Sequence, residues 1–247
     1  MTLHQPHENQ TLAGTTAVVT GASRGFGHAI AAALAAAGAH VVGVARGRTE
    51  VDGHFTAVAA DVADPEVANR IIDEHRPHTL VLCAGASPTM RPLHEQTWES
   101  FSENWNVDVA QAFHWTRAAL LRPLAPGSTV IVMSSGAAVN GSPLSGGYAG
   151  AKAAVKFVAD YAAIESERAG LRIHFVSVLP RLTADTDLGA KAVAAYADRQ
   201  GVGVEDFVAA SGPALTAQQV GRSVLELATE QRSGSYLLTA AGLSTLN

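Results

Sequence analysis

Short runs in which nearly every position is apolar alternate along this chain with longer, alanine-rich runs of helical period. The first kind reads as strands at Thr16–Thr20, His40–Val44, Phe55–Ala59, Thr79–Cys83, Thr129–Met133, Arg172–Val178 and Tyr236–Thr239. The second predicts helices over Gly25–Ala37, Pro65–His75, Asn106–Leu121, Tyr148–Arg168 and Thr216–Ala228. Strands that are apolar on both faces need cover on both faces, and regular alternation with helices favours right-handed crossovers. The expectation is an α/β fold, a doubly wound, mostly parallel, seven-stranded sheet with helices on both faces. No repeat, low-complexity stretch or Pro/Gly linker divides the chain, so residues 11–247 are expected to form one domain. Its one long interruption, Arg181–Gly212, follows a strand's C-terminal end, where substrate loops and lids sit. Residues 1–10 are polar and predict a loosely held tail.

Composition narrows the picture. With 47% hydrophobic residues the chain can bury a core and is not disordered. Seventeen Lys plus Arg against 22 Asp plus Glu leave a net charge of −5, with no basic footprint for nucleic acid or an anionic membrane. The one cysteine, Cys83, allows neither an intrachain disulfide nor a cysteine-cluster zinc site. The ten histidines form no ligand pattern, since His4 and His7 lie in the tail and His75 and His78 flank Pro77. No metal is expected. No stretch approaches the roughly 18–20 apolar residues of a membrane span, and the N-terminus has neither signal-peptide nor transit-peptide character. A soluble, cytoplasmic protein is the expectation.

Chemistry enters at Thr20-Gly21-Ala22-Ser23-Arg24-Gly25-Phe26-Gly27, directly after the first strand and opening the first helix. Gly21, Gly25 and Gly27 carry no side chains to keep a pyrophosphate from the backbone amides. A helix N-terminus adds partial positive charge there. Strand, glycine turn, helix and second strand in this order read as a Rossmann-type dinucleotide site; a purely structural tight turn does not call for three glycines. The Ser23 and Phe26 backbone belongs to the same turn. At the end of the second strand, where an NAD site wants a carboxylate, the chain reads Val44-Ala45-Arg46-Gly47-Arg48. Arg24 and Arg46 can converge on a 2′-phosphate, which favours NADP; two merely solvated arginines are the bland reading. Asp61-Val62, after the third strand, is placed to flank an adenine.

Tyr148 and Lys152 are four residues apart at the start of a helix and share a face. A phenol titrates near pH 10, and a nearby ammonium favours its ionised form. Ser135, just past the fifth strand, has a hydroxyl able to orient a carbonyl, and Asn106 opens another long helix and can hold a relay water. By itself Tyr-x-x-x-Lys is more often a half-buried aromatic beside a surface lysine. Trp98, Phe101 and Trp105 at helical spacing read as core or subunit contact. Tyr196 and Phe207 either line the substrate pocket or pack the lid. Cys83, at the end of an apolar strand, reads as a buried thiol.

Taken together these residues resemble the short-chain dehydrogenase/reductase family in its single-domain form, from about Thr11 to Gly242. The glycine turn matches the family's cofactor motif, and Asn106, Ser135, Tyr148 and Lys152 fall in the order and at the spacing of its catalytic tetrad. The resemblance implies an NADP-dependent oxidoreductase that interconverts a ketone or aldehyde and an alcohol by hydride transfer. Tyr148 would be the general acid in reduction and Ser135 would hold the carbonyl oxygen. Lys152 would bind the nicotinamide ribose and tune Tyr148, and Asn106 would anchor the relay water. The family's Asn-Asn-Ala-Gly reads Leu82-Cys83-Ala84-Gly85 here, with Ala84 and Gly85 still letting the backbone approach the cofactor. Its Pro-Gly reads Pro180-Arg181, and Thr183 and Thr186, with Asp185 between them, are candidates for the nicotinamide side. The resemblance also implies a homo-tetramer or homo-dimer paired through the two long helices, acting on a small molecule. A rival from another class is a non-catalytic NADP-binding redox sensor; a third possibility is dehalogenation or epimerisation at the same site.

Overall fold

The computed structural model describes residues 12–47 and 55–246; the tail expected over residues 1–10 lies outside them. In chain order the elements are β1 (Thr16–Thr20), α1 (Gly25–Ala36), β2 (His40–Ala45), β3 (Phe55–Ala59), α2 (Pro65–His75), β4 (Thr79–Leu82), α3 (Trp98–Asn104), α4 (Ala110–Leu121), β5 (Thr129–Met133), α5 (Ala137–Asn140), α6 (Gly146–Arg168), β6 (His174–Pro180), α7 (Asp187–Gln200), α8 (Val204–Ala210), α9 (Ala217–Glu230), β7 (Gly234–Thr239) and β8 (Gly242–Thr245). A five-residue π turn, Trp105–Val109, joins α3 to α4.

The strands form one sheet in the order β3-β2-β1-β4-β5-β6-β7-β8. All pairings are parallel except β7–β8, which runs antiparallel with Thr239 opposite Gly242. The described sheet therefore has eight strands rather than the seven expected. The extra one is the four-residue edge strand Gly-Leu-Ser-Thr, folded back by a hairpin at Gly242, whose φ is +108°.

Successive residues of the central strands point to opposite faces, and both faces are buried. Ala17 and Val19 of β1, Val81 of β4 and Ile131 of β5 pack against Ile30 and Leu34 of α1 and against Val220, Val224 and Leu227 of α9. On the other face Val18, Leu80, Val130 and Val132 meet Ile71 and Ile72 of α2, Ala112 and Trp115 of α4, and Val155 and Ala159 of α6. This double cover is why the strands are apolar at nearly every position. The strand order reverses between β1 and β4, which opens a crevice beyond their C-terminal ends. In open α/β sheets this switch point is where ligands sit.

Candidate active site

A cleft of about 1520 Å³ runs along the C-terminal edge of the sheet. One end is walled by the turn from Gly21 to Gly27, Arg46, Asp61 and Val62; the middle by Ala84 and Gly85; the other end by Ser135, Tyr148, Lys152, Pro180 and Thr183. The structure thus brings every candidate site residue except Asn106 to a single opening.

The turn from Gly21 to Gly27 owes its shape to its glycines. Gly21 has a φ of +70°, and a Cβ on it would lie 2.8 Å from Ala84 Cα, so the turns after β1 and β4 pass too closely for a side chain. Helix α1 begins with no acidic residue in its first turn and no side-chain cap from Arg24, leaving its N-terminal amides unneutralised. Thr20 and Gln111 latch the neighbouring loop. The Thr20 hydroxyl accepts from the Cys83 and Ala84 N–H groups at 2.9 and 3.2 Å and donates to Gln111 Oε1 at 2.6 Å. The Gln111 amide donates to the Ala84 carbonyl at 2.9 Å. Trp115 of α4 donates to the Val62 carbonyl at 2.9 Å, fixing the loop after β3. Arg24 lies 3.7 Å from Asp187 across the cleft, both side chains well solvated.

At the other end, α6 carries Tyr148 and Lys152 on one face. Lys152 is 7% exposed. Its ammonium donates to the Met133 carbonyl at 2.9 Å, stands 3.0 Å from Asp108 Oδ2 and lies 5.7 Å from the centroid of the Tyr148 ring. The Ser134 hydroxyl donates to the Lys152 carbonyl at 2.7 Å, tying the end of β5 to the helix. The Ser135 hydroxyl, at the start of the next turn, accepts from the Ala137 N–H at 3.2 Å.

Asn106 is placed elsewhere. It is exposed, within the π turn, and does not line the cleft. The extra residue of the π turn changes the helical phase, and Asp108 is the residue turned inward instead. Asp108 is 1% exposed; its Oδ1 accepts from the Ala86 N–H at 2.9 Å and from the Asn104 amide at 3.4 Å. Asn104 also donates to the Ala86 carbonyl at 2.8 Å. The single long helix expected over Asn106–Leu121 is therefore α3, a π turn and α4. The signal for Asp108 was present in the sequence, an acid held between Val107 and Val109 in an otherwise apolar run.

Burial by itself pulls the Lys152 ammonium down, but Asp108 and Tyr148 outweigh it and hold it above its ordinary value. A group raised in this way contributes stability that is complete below the unfolded lysine value, about pH 10.4, and lost as pH rises through the higher folded value. Thermal melts are expected to show an alkaline fall in Tm above about pH 10.4, and a smaller one in Lys152→Met. The Cys83 thiol is pushed up to about 11 by burial, with Lys152 opposing and Asp108 adding, so it stays protonated at neutral pH and is no nucleophile.

The two threonine candidates differ. Thr183 is buried and its hydroxyl donates to the Leu215 carbonyl at 2.6 Å, whereas Thr186 caps α7 by accepting from the Gly189 N–H at 3.1 Å. The stretch 181–212 is largely helical, containing α7 and α8. Tyr196 and Phe207 stack at 6.4 Å between ring centroids and both line the cleft. The Tyr196 hydroxyl shares a hydrogen bond with Ser142, which ties α7 to the loop before α6. Among the described residues no His, Cys, Asp and Glu cluster could hold a metal, and no helix is long and apolar enough to cross a membrane.

Known proteins bear on this arrangement. A family model described as short chain dehydrogenase matches residues 15–197, from the start of the sheet into α7. The chain is 34% identical to the L-xylulose reductase of Mesocricetus auratus over 132 residues, 50% of this chain and 54% of that protein. To the L-xylulose reductase of Bos taurus it is 30% identical over 175 residues, 67% of this chain and 71% of that one. The match thus spans about half the length of the first relative. A crystal structure from Beutenbergia cavernae, described as an NAD(P)-dependent gluconate 5-dehydrogenase with NADP bound at low occupancy, superimposes with a TM-score of 0.77 at 28% identity. That superposition covers 93% of this chain and 97% of that one. The chain belongs to the short-chain dehydrogenase family.

Proposed function

We propose that this protein is an NADP-dependent reductase of small ketones or aldehydes, running equally as a dehydrogenase of the corresponding alcohols. The observation that carries this reading is the buried Lys152 ammonium beside the Tyr148 ring, in the cleft that starts at the acid-free N-terminus of α1.

The residues present fit a nicotinamide dinucleotide. Side chains at Gly21 and Gly85 are excluded by contacts of 2.8 Å and 2.9 Å to Ala84 and Asp108, which leaves bare backbone along the cleft. The turn from Gly21 to Gly27 would take the pyrophosphate, Asp61 and Val62 would flank the adenine, and Lys152 would donate to the nicotinamide ribose. When bound, the cofactor supplies the hydride. The protein's part is acid–base and positional. The Ser135 hydroxyl donates to the substrate carbonyl oxygen, and the Tyr148 hydroxyl delivers the proton to that oxygen. The Lys152 ammonium stabilises the phenolate that remains. Tyr196 and Phe207 close the substrate side.

Arg24 and Arg46 support NADP over NAD, since β2 ends with no carboxylate to receive a ribose hydroxyl. The solvated Arg24–Asp187 pair is weak in water and leaves the guanidinium available to a phosphate dianion. Replacing Arg46 with alanine is expected to weaken NADPH binding about tenfold or more, as for loss of a charged hydrogen bond, and NADH binding little. Titration of both cofactors by nucleotide fluorescence checks this, and equal losses would discard the phosphate assignment. Phe113 and Leu121 of α4 and Phe157, Tyr161 and Ile164 of α6 are exposed, which supports pairing of two copies through these helices as a homo-dimer or homo-tetramer.

The reading is tested by mixing the protein with NADPH and a panel of activated ketones and aldehydes and following the reduced-nicotinamide absorbance. Oxidation dependent on a carbonyl supports it. Tight NADPH binding with no oxidation by any of them would instead favour a redox sensor.

A further inference from the structure

Among the described residues, Asp108 and Lys152 are the only charged side chains that are buried, and they face each other. An ammonium has three N–H donors. One is spent on the Met133 carbonyl at 2.9 Å, and the ammonium forms an ion pair with Asp108 Oδ2 at 3.0 Å, which fixes the direction left to it toward the cleft. The carboxylate is anchored in its turn by the Ala86 N–H and the Asn104 amide. Gly85 lets it approach, since any Cβ there would stand 2.9 Å from Asp108 Oδ2. Among the described residues no exposed ion pair has such a frame. Losing one partner of a buried pair leaves the other charge uncompensated.

We propose that Asp108 is a positioning residue for the reaction. Its carboxylate fixes the direction of the Lys152 ammonium beside Tyr148 and keeps that buried amine charged. The proposal rests on the reading of Tyr148 and Lys152 as the proton-delivering pair. It explains how a buried lysine beside the cleft can remain an ammonium, where desolvation favours the neutral amine. It also accounts for the π turn, whose change of phase directs Asp108, and not Asn106, toward α6.

Asp108→Asn keeps the shape and the Oδ1 acceptor, removes the charge and puts an amide N–H donor where Oδ2 faced the ammonium. Protein labelled with [¹³Cε]lysine gives three signals, from Lys152, Lys156 and Lys191, and Lys152→Met assigns the one of interest. In the parent protein the Lys152 signal is expected to titrate above the ordinary lysine value of about 10.4. In Asp108→Asn it is expected to titrate at least about one pH unit lower than in the parent, with Lys156 and Lys191 unchanged as evidence of an intact fold. Asp108→Glu, which returns a carboxylate, should recover part of the difference. The alkaline limb of kcat/KM should move to lower pH by a similar interval in Asp108→Asn. A parent Lys152 that titrates at or below the ordinary lysine value overturns the proposal, even should the variant not fold. So does a uniform loss of rate with an unmoved alkaline limb, which is the signature of a structural role only. The titration needs no turnover, so a protein that reduces no carbonyl yet shows the Lys152 shift would sink the proposed reaction and leave the ion pair's control of the ammonium intact.

Discussion

Tyr148→Phe is expected to lower turnover by about 10²–10⁴-fold, the range for losing a positioned proton donor, while NADPH binding survives. The ring lines the cleft, and Lys152 is held from the opposite side by the Met133 carbonyl and Asp108. Removing the phenolic oxygen therefore takes away the proton without releasing the amine. The same substitution leaves the phosphate turn untouched, since Gly21 to Gly27 lie at the other end of the cleft. Steady-state rates with an activated ketone, paired with a direct NADPH titration, check both halves. Parent-like turnover in this variant would remove the phenol from the mechanism.

Gly147→Ala is expected to destabilise the fold by about 3 kcal/mol, at the upper end of the usual cost of overpacking, and to lower Tm by roughly 6–12 °C for a chain of this size. A Cβ at this position would lie 1.9 Å from the Phe101 carbonyl oxygen and 2.8 Å from its carbon. Both are backbone atoms of α3, so the clash is relieved only by moving α3 away from α6. A Cβ on Gly150 would meet the Trp105 ring at 3.4 Å, an ordinary packing contact. The small residues at the start of α6 therefore set how closely α3 and the π turn approach, and with them the depth at which Asp108 meets Lys152. Gly47→Ala, where nothing lies within 4 Å and φ is ordinary, should leave Tm unchanged. Thermal melts followed by circular dichroism check the pair. Equal Tm values for parent and Gly147→Ala would mean that the two helices are not so tightly apposed.

What could be read from the sequence was what is decided locally. The central strands declared themselves because burial on both faces leaves no polar positions in them. The tight turn after β1 did so because three glycines at a strand-to-helix junction have a direct steric reason, and the shared face of Tyr148 and Lys152 because a spacing of four fixes it. What failed was set by partners distant in sequence. Strand β8 has a single large apolar residue, Leu243, and exists through its pairing with β7, which no local pattern announces. The stretch 181–212 reads as a mixture of helix and Gly-rich loop, and its helical parts are α7 and α8, whose bounds its glycines obscured although Thr186 at the start of α7 caps it. Asn106 was a matter of phase. Counted at 3.6 residues per turn its place on a helix looked suitable, but the π turn at Trp105–Val109 inserts a residue and hands the inward position to Asp108.

The most direct test of the proposed reaction follows the hydride itself. NADPH carrying deuterium at the transferable C4 position is incubated with the protein and a reducible ketone, and the alcohol is examined by mass spectrometry. One deuterium on the new carbinol carbon, lost when Tyr148 is phenylalanine, is the expected result. Alcohol formed without label, or full binding of the nucleotide with the ketone recovered unchanged, would contradict it.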